Sequence, residues 1–185
     1  MKKEDIRTLM RARKTLLDED ERRSAAAAVF ALLERMAAFM MADRVLMYHS
    51  LADELDTHAF LDKWHGRKLM YLPRVNGVDL DILPYERTRM HLGAFRIEEP
   101  DGDDVADVAD MDMIVVPAVA YDGRGRRVGR GKGYYDRLLA TAGAVKVGVA
   151  YDFQLLDEDI ETEAHDVGVD YVITPHGVVK TRRHK

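Results

Sequence analysis

The residues best suited to chemistry lie in a glycine-rich basic loop at residues 122–136, whose sequence is DGRGRRVGRGKGYYD. Glycines let the backbone approach a ligand closely and turn N–H groups toward it. Arg130 and Lys132 add full positive charges, and the helix predicted from about Tyr134 adds the partial charge of its N-terminus. This combination predicts a phosphate-binding loop, and the alternative is a flexible exposed hairpin with solvated arginines.

The loop matches neither of the two common nucleotide-binding patterns. A P-loop requires Ser or Thr after its Gly-Lys pair, but Gly133 follows Lys132. The dinucleotide pattern requires a third glycine, but Tyr134 stands three residues after Gly131. The prediction therefore rests on the residue content of the loop and its position between a strand and a helix.

The distribution of charge sets this loop apart from the rest of the chain. The 185 residues carry a net charge of −5, whereas residues 122–137 alone carry +4 and the remainder −9. An overall acidic chain argues against a nucleic-acid partner, since nucleic-acid-binding domains usually have a basic surplus. The absence of cysteine excludes disulfides, thiolate chemistry and cysteine zinc sites.

The sequence gives no indication of a membrane-bound or secreted protein. No apolar run approaches the roughly 18 residues that a membrane span needs. Residues 1–5 pass directly into charged side chains without the apolar segment of a secretory signal. We therefore expect a cytoplasmic protein with no membrane partner.

Three acidic residues outside the loop centre each allow two interpretations. Asp136 stands in the first turn of the predicted helix, where it either stabilises the helix dipole or binds Mg²⁺ on a nucleotide. Asp166, beside His165, either forms an ordinary turn or contributes to a site. Glu54 either caps the next helix or accepts N–H groups of a polar heterocycle.

Alternating helices and strands must position these residues. Val29, Leu32, Leu33 and Met36 fall at helical spacing and predict a buried helix face. Pro73 is predicted to end its strand, and the acidic stretch 98–112 to be a solvated connection. The predicted helices cover residues 3–17, 19–40, 56–65 and 134–142, and the predicted strands residues 44–48, 68–72, 78–85, 113–116, 145–150 and 169–174.

This alternation predicts one α/β domain with a mainly parallel sheet covered by helices on both faces. The domain is expected to span residues 1–179, followed by a basic tail at 180–185. In parallel sheets, ligands collect at the carboxyl ends of the strands, which is where the basic loop begins.

Several stretches, taken together, resemble the 5-formyltetrahydrofolate cyclo-ligase (methenyltetrahydrofolate synthetase) family. They occur in the order of the family and cover nearly the whole chain. The run at residues 127–136 is very specific, and the other stretches are weak singly. The matching stretches are Lys3-x-x-x-Arg7, YHSLADELDT at 48–57, LPRV at 72–75, IEEP at 97–100, VPAVAYD at 116–122, RVGRGKGYYD at 127–136, and HDVGVD at 165–170 followed by Thr174.

The resemblance implies a fold of the type shared with sugar-phosphate isomerases and CoA transferases. It also implies an ATP- and Mg²⁺-dependent ligase that closes 5-formyltetrahydrofolate to 5,10-methenyltetrahydrofolate and releases ADP and phosphate. Separately from the resemblance, we expect a monomer. Arg130 and Lys132 would be the catalytic residues, and Asp136 and Asp166 the metal ligands. The implied folate-binding residues are His49, Glu54, Arg130, Gly131, Lys132, Gly133 and Tyr134, and the implied ATP-binding residues are Lys3, Arg7, Arg127, Gly129, Arg130, Gly131, Lys132, Gly133, Tyr134 and Tyr135.

Three residues depart mildly from the family pattern, and three other functions stay open. Arg130 stands where many members have an aromatic residue, and Ala118 and Tyr121 replace the commoner Gly and Phe. A sugar-phosphate isomerase-like enzyme would use a phosphate pocket without ATP. A non-catalytic folate- or nucleotide-binding relative would be expected to lose members of the run 132–136, which is intact here. An RNA-binding loop is disfavoured because few aromatics interleave the basic residues.

Overall fold

A seven-stranded sheet organises residues 1–181, which are the residues that the computed structural model describes. Its strand order is β12-β11-β9-β6-β1-β2-β3, and the five inner strands run parallel. The outer strands, β3 and β12, pair antiparallel with their neighbours. The strands of this sheet are β1 (Arg44–Leu46), β2 (Leu69–Asn76), β3 (Asp79–Pro84), β6 (Met113–Val116), β9 (Val145–Val149), β11 (Tyr171–Thr174) and β12 (Gly177–Lys180). The predicted α/β fold with a mainly parallel sheet is confirmed.

Both faces of the sheet are buried, as is usual for a parallel sheet, which helices cover on both sides. All four residues of β6 are fully buried. Met113 and Val115 belong to a core on one face, whereas Ile114 and Val116 belong to a second core on the other. This alternation follows from the two-residue period of a strand, and it explains why the strand sequences are continuously apolar.

Five α-helices cover the sheet within residues 1–181, and their bounds differ from the predicted ones mainly at the ends. Asp18 forms a capping box with Glu21 at the start of α2. Met36 adopts an extended backbone, so the predicted helix 19–40 is two helices. Val29 and Leu33 are fully buried, as predicted for this face. The helices are α1 (Lys3–Lys14), α2 (Glu19–Arg35), α3 (Ala37–Met41), α4 (His58–Trp64) and α5 (Tyr134–Leu139).

A second, three-stranded sheet fixes α1 beside the basic loop. Its order is β10-β7-β8, and α1 buries Ile6 and Met10 against Ala120 of β7 and Val128 of β8. This packing leaves Arg7 of α1 in contact with the basic loop, where it donates to the carbonyl of Gly129. The strands are β7 (Ala120–Asp122), β8 (Arg127–Val128) and β10 (Leu155–Leu156), and a separate hairpin contains β4 (Met90–Leu92) and β5 (Glu98–Pro100).

Pro73 does not end its strand, contrary to the prediction. It continues β2 and pairs with Ile82 of β3. Tyr71, two residues earlier in β2, accepts the N–H of Met47 with its carbonyl oxygen on the β1 side. Because alternate residues of a strand present their backbone groups to the same side, the nitrogen of Pro73 also faces the β1 side. Because β1 has already ended there, the missing N–H of proline breaks no ladder hydrogen bond.

The acidic stretch is not uniformly a solvated connection. It begins with β5, and Glu99 is only 4% exposed because its carboxylate accepts the N–H of Val75 at 3.1 Å. A short 3₁₀ turn also forms at Val108–Asp110.

The predicted boundary at 179 also lies inside an element, since Lys180 belongs to β12. The rest of the expected basic tail, residues 182–185, lies outside the described residues.

Candidate functional site

A cavity of about 890 Å³ opens at the carboxyl ends of the parallel strands. The strand order reverses between β1 and β6, because β2 follows on one side and β9 and β11 on the other. Such a reversal leaves a crevice that is the usual ligand position in open α/β sheets. Tyr48 and His49 after β1, and Pro117 and Ala118 after β6, line this cavity.

The structure brings every residue predicted from the sequence to this one cavity. They come from α1, the segment after β1, the basic loop with the start of α5, and the segment before β11. Those residues are Lys3, Arg7, His49, Glu54, Arg127, Gly129, Arg130, Gly131, Lys132, Gly133, Tyr134, Tyr135, Asp136 and Asp166. The volume is within the range typical of ligand sites, roughly 300–1,000 Å³.

Two glycines give the basic loop its shape. Gly131 has φ = 96° and Gly133 φ = 71°, both in the left-handed region that strains other residues. Gly133 is also the residue immediately before α5. The helix has only six residues, fewer than the predicted 134–142. The positive potential of the loop therefore comes mainly from its side chains and N–H groups.

Lys132 and Arg130 have different surroundings in the cavity. The Nζ atom of Lys132 lies 5.5 Å from the ring centre of Phe95. Among the described residues no carboxylate lies within ion-pair distance of it, so its charge faces the cavity uncompensated. Arg130 instead donates from Nη2 to Asp53 at 2.7 Å and to Glu54 at 3.1 Å. Burial lowers the pKa of Arg130, but the hydrogen bonds and charges of these two carboxylates raise it by more, so the pKa lies above its usual value.

Arg127 is a buried anchor for the acidic end of the site. Its guanidinium, 4% exposed, donates to the Oδ1 atom of Asp136 at 2.6 Å and to the carbonyl of Val167 at 3.0 Å. The N–H of Val167 donates to the same Oδ1 atom at 3.1 Å. Arg127 therefore joins β8, α5 and the segment that contains Asp166, and it fixes the orientation of the Asp136 carboxylate.

The basic face of α1 contacts both the loop and Asp166. Lys3 pairs with the Oδ2 atom of Asp166 at 2.5 Å, and Arg7 donates to the carbonyl of Gly129 at 2.9 Å. Burial raises the pKa of Asp166, but the hydrogen bonds from Lys3 and from the Glu163 N–H outweigh it, so the pKa lies below its usual value. The ligand atoms of Glu163, His165 and Asp166 lie within 4.8 Å of one another.

The donor set at this end fits a hard divalent cation. The described hydrogen bonds occupy Oδ1 of Asp136 and Oδ2 of Asp166, which leaves the other oxygen of each carboxylate for a ligand. Carboxylate oxygens are the protein ligands that Mg²⁺ prefers when it also binds phosphates. Asp136 does not belong to the compact group formed by Glu163, His165 and Asp166.

Glu54 faces the cavity and does not cap α4. Thr57 is the residue before α4, and Asp56 accepts the N–H of His58 at 2.8 Å. One oxygen of Glu54 accepts the N–H of Leu51 at 2.9 Å, while the other faces Arg130. This geometry excludes the capping interpretation, and it places at the cavity a carboxylate whose contact with Arg130 a ligand's N–H groups would have to replace.

The structure adds four residues to which the sequence analysis gave no role, namely His58 and Glu98 beside His49, and Phe95 and Asp53 beside the basic loop. His49 stacks on His58 with ring centres 4.0 Å apart, and its Nε2 atom lies 3.5 Å from Glu98. Phe95 borders the cavity with φ = 59°, and Asp53 joins Arg130 to Lys14. The sequence held a signal for two of these residues. Glu98 lies in the matching stretch 97–100, to which no role was given, and Asp53 directly precedes Glu54.

These features define a class of protein: an α/β protein with a strand-switch cavity that combines a phosphate-type basic loop with a carboxylate, Glu54, which contacts that loop through Arg130. The family model of the 5-formyltetrahydrofolate cyclo-ligase family matches residues 1–175, and the chain belongs to this family. Within residues 1–181 no helix is both long and apolar enough to cross a membrane.

Individual relatives agree with this assignment. The chain is 33% identical over 149 residues to 5-formyltetrahydrofolate cyclo-ligase of Escherichia coli (strain K12), covering 75% of this chain and 81% of the relative. It is 30% identical over 176 residues to the Haemophilus influenzae protein of the same name, covering 90% and 94%. A solved structure of Aquifex aeolicus 5,10-methenyltetrahydrofolate synthetase superposes with a TM-score of 0.89 at 33% identity, covering 99% of this chain and 94% of that one.

Proposed function

We propose that this chain is an ATP-dependent ligase that converts 5-formyltetrahydrofolate to 5,10-methenyltetrahydrofolate with release of ADP and phosphate. The observation that carries the proposal is that all the ATP-, folate- and metal-binding residues implied by the resemblance line one cavity. The cavity combines cations for a phosphate chain with the Glu54 carboxylate for a polar heterocycle, so it offers groups for both substrates.

The chemistry requires the formyl oxygen to become a leaving group. The formyl oxygen attacks the γ-phosphorus of ATP, the bond to the bridging oxygen breaks, and ADP leaves. The folate N10 then attacks the formyl carbon and closes the five-membered ring. The carbon–oxygen bond breaks, phosphate carries away the formyl oxygen, and N10 loses its proton to give the methenyl cation.

The protein's contribution is alignment and charge neutralisation, so no side-chain nucleophile is required. We assign Lys132, whose ammonium faces the cavity without a carboxylate partner among the described residues, to the transferring phosphoryl group. The N–H groups of Gly131 and Gly133, together with Lys3 and Arg7, complete the nucleotide site. In this assignment Gly129, Tyr134 and Tyr135 shape its walls.

Arg130 links the two halves of the site in this proposal. Its contacts with Asp53 and Glu54 place the guanidinium beside the carboxylate assigned to the pterin ring. When the N–H groups of the pterin donate hydrogen bonds to Glu54, the guanidinium of Arg130 turns from Glu54 to the phosphoryl group. His49 lines the folate side of the same cavity.

Mg²⁺ belongs to the proposal as the ion that Asp136 and Asp166 would hold, where it would screen the phosphate charges. Arg127 keeps the Asp136 carboxylate oriented, and Lys3 does the same for Asp166. We also assign the enzyme to the cytoplasm as a monomer, because its substrates are small cytoplasmic molecules and one chain supplies the whole cavity.

The test mixes the protein with ATP, Mg²⁺ and 5-formyltetrahydrofolate and follows the absorbance of the methenyl product. The expected result is equal formation of product and ADP, with no ADP when the folate is omitted. Label in an ¹⁸O formyl group should appear in inorganic phosphate. A sugar-phosphate isomerase-like enzyme or a non-catalytic binding protein would give neither product nor folate-dependent ADP.

Lys132→Ala tests the assignment of the loop. Losing one preorganised charge at the transferring group should lower kcat by roughly 10²–10³-fold. Lys63→Ala is the matched control, because Lys63 is an exposed lysine on α4 that does not line the cavity. Near-normal turnover of Lys132→Ala would remove Lys132 from the mechanism.

A further inference from the structure

A second, smaller cavity of about 300 Å³ adjoins the main one and has a strongly basic lining. It lies between the C-terminal half of α1, the start of α2 and the segment after β1. Asp53 is the one acidic residue among those that line it, and five basic residues surround it: Arg7, Arg11, Lys14, Arg22 and Arg130.

The positive charge of this second cavity is only partly compensated. Arg7 pairs with Glu4, and both Lys14 and Arg130 share Asp53. Arg22 donates to the backbone carbonyls of Lys14 and Ala52, which carry no charge. Among the described residues, Arg11 has no ion pair at all. A surplus of cations in an otherwise acidic chain attracts and retains an anion.

Lys14 is the least exposed of these cations. Its side chain is 8% exposed, and its nearest carboxylate, on Asp53, is 3.4 Å away. Burial lowers the pKa of Lys14, and the charge of Asp53 offsets this in part. A second anionic group would stabilise this buried ammonium, because its one carboxylate contact is long.

This anion site is separate from the proposed phosphate site. Lys3, at the start of α1, pairs with Asp166, whereas Lys14, at the end of the same helix, pairs with Asp53. Their separation of eleven positions corresponds to about 16 Å of helix. The two cavities are adjacent, since Arg7 and Arg130 line both. A long ligand that passes these two side chains would extend its anionic end from the main cavity into the second.

We propose that the second cavity binds the glutamyl carboxylates of the folate substrate. The inference rests on the proposed function, because that function supplies a substrate with a heterocycle at one end and carboxylates at the other. Asp53, which lines the second cavity, directly precedes Glu54 in the segment assigned to the folate, and Arg130, which also lines it, contacts both of these carboxylates. Arginine forks suit carboxylates, which they bind through two parallel hydrogen bonds.

The experiment compares 5-formyltetrahydrofolate with 5-formyltetrahydropteroate, the same compound without its glutamate. Affinity is measured by calorimetry, and KM and kcat by the methenyl absorbance. The variants are Arg11→Ser, Lys14→Met and the control Arg13→Ser. Arg13 is exposed on the same helix and lines neither cavity.

Each variant of the second cavity should weaken binding of the glutamate-containing folate about tenfold, the typical value of one charge-assisted hydrogen bond. Affinity for the pteroate compound, KM for ATP and kcat should stay within twofold, and Arg13→Ser should match the unaltered protein. Arg11→Ser keeps the test valid if Lys14→Met fails to fold, because Arg11 is exposed.

Equal weakening for both folates, or no weakening, would overturn the proposal. A rise confined to KM for ATP would also overturn it and assign the cavity to a phosphate group. Calorimetry separates this inference from the proposed function. Binding that depends on the glutamate but gives no product would support the assignment of the second cavity and contradict the proposed ligase activity. Normal turnover that does not depend on the glutamate would support the ligase activity and contradict the assignment of the cavity.

Discussion

Replacing Arg127 by methionine tests whether this residue holds the acidic end of the site in place. The substitution keeps an unbranched apolar stem but removes the guanidinium and with it the hydrogen bonds to Asp136 and Val167. The Asp136 side chain is 19% exposed, and it would keep only the N–H of Val167 among the partners described above. Removing one member of a buried ion pair costs about 3–5 kcal/mol, because the other charge stays behind.

The partial exposure of Asp136 favours the lower end of that range, about 3 kcal/mol. In a domain of this size, 1 kcal/mol shifts the melting temperature by about 2–4 °C, so Arg127→Met should melt about 6–12 °C lower. Turnover should fall as well, since Asp136 loses its orientation. Thermal and urea unfolding can be followed by the fluorescence of Trp64, the single tryptophan, which packs against Phe39.

Arg126→Met is the matched control for this prediction. Arg126 is the adjacent arginine, but it is 28% exposed and lies 3.4 Å from Asp159 and 3.8 Å from Asp122. Such longer, partly solvated pairs contribute about 1 kcal/mol or less. If Arg127→Met were no less stable than Arg126→Met, Arg127 would not be the anchor of Asp136, and its place in the site would be a direct contact with ATP alone.

Two further substitutions test the backbone near the loop and the charge state of the folate side. Gly125→Ala should lower the free energy of unfolding in urea by about 3 kcal/mol, because φ is 79° and the new Cβ would lie 2.3 Å from the Val169 carbonyl oxygen. The control is Gly123→Ala, which has open space around the new Cβ and should change stability by less than about 0.5 kcal/mol. Similar losses in the two variants would contradict the close approach at Gly125. Burial and the nearby His58 lower the pKa of His49, so the unfolded state binds more protons and stability falls as pH drops below about 6.5. His49→Gln should lose less stability than the unaltered protein between pH 7 and pH 5, and equal pH slopes would contradict the shift.

The sequence predicted which residues of the basic loop line the cavity better than it predicted the contacts that orient them. Residues 127–136 and the pair at 165–166 carry local signals, namely glycine spacing, charge and position between elements. The pairing of Arg130 with Asp53 joins residues 77 positions apart, and that of Lys3 with Asp166 spans 163. No periodicity or propensity in the sequence encodes such distances, because they arise from the order of the strands.

The errors have the same origin. Pro73 continues its strand because β1 ends before it, a fact of the sheet and not of the residue. Glu99 lies buried in an acidic stretch because the N–H of Val75 meets its carboxylate. The break at Met36 and the short strands β7, β8 and β10 also depend on tertiary packing, which overrides local propensity.

A crystal structure of the protein with ADP, Mg²⁺ and 5-formyltetrahydrofolate tests the central claim most directly. The account predicts the β-phosphate against the N–H groups of Gly131 and Gly133, with Lys132 reaching toward the vacant γ-position and the pterin ring on Glu54. A nucleotide located away from residues 129–136, with that loop turned to solvent, would contradict it.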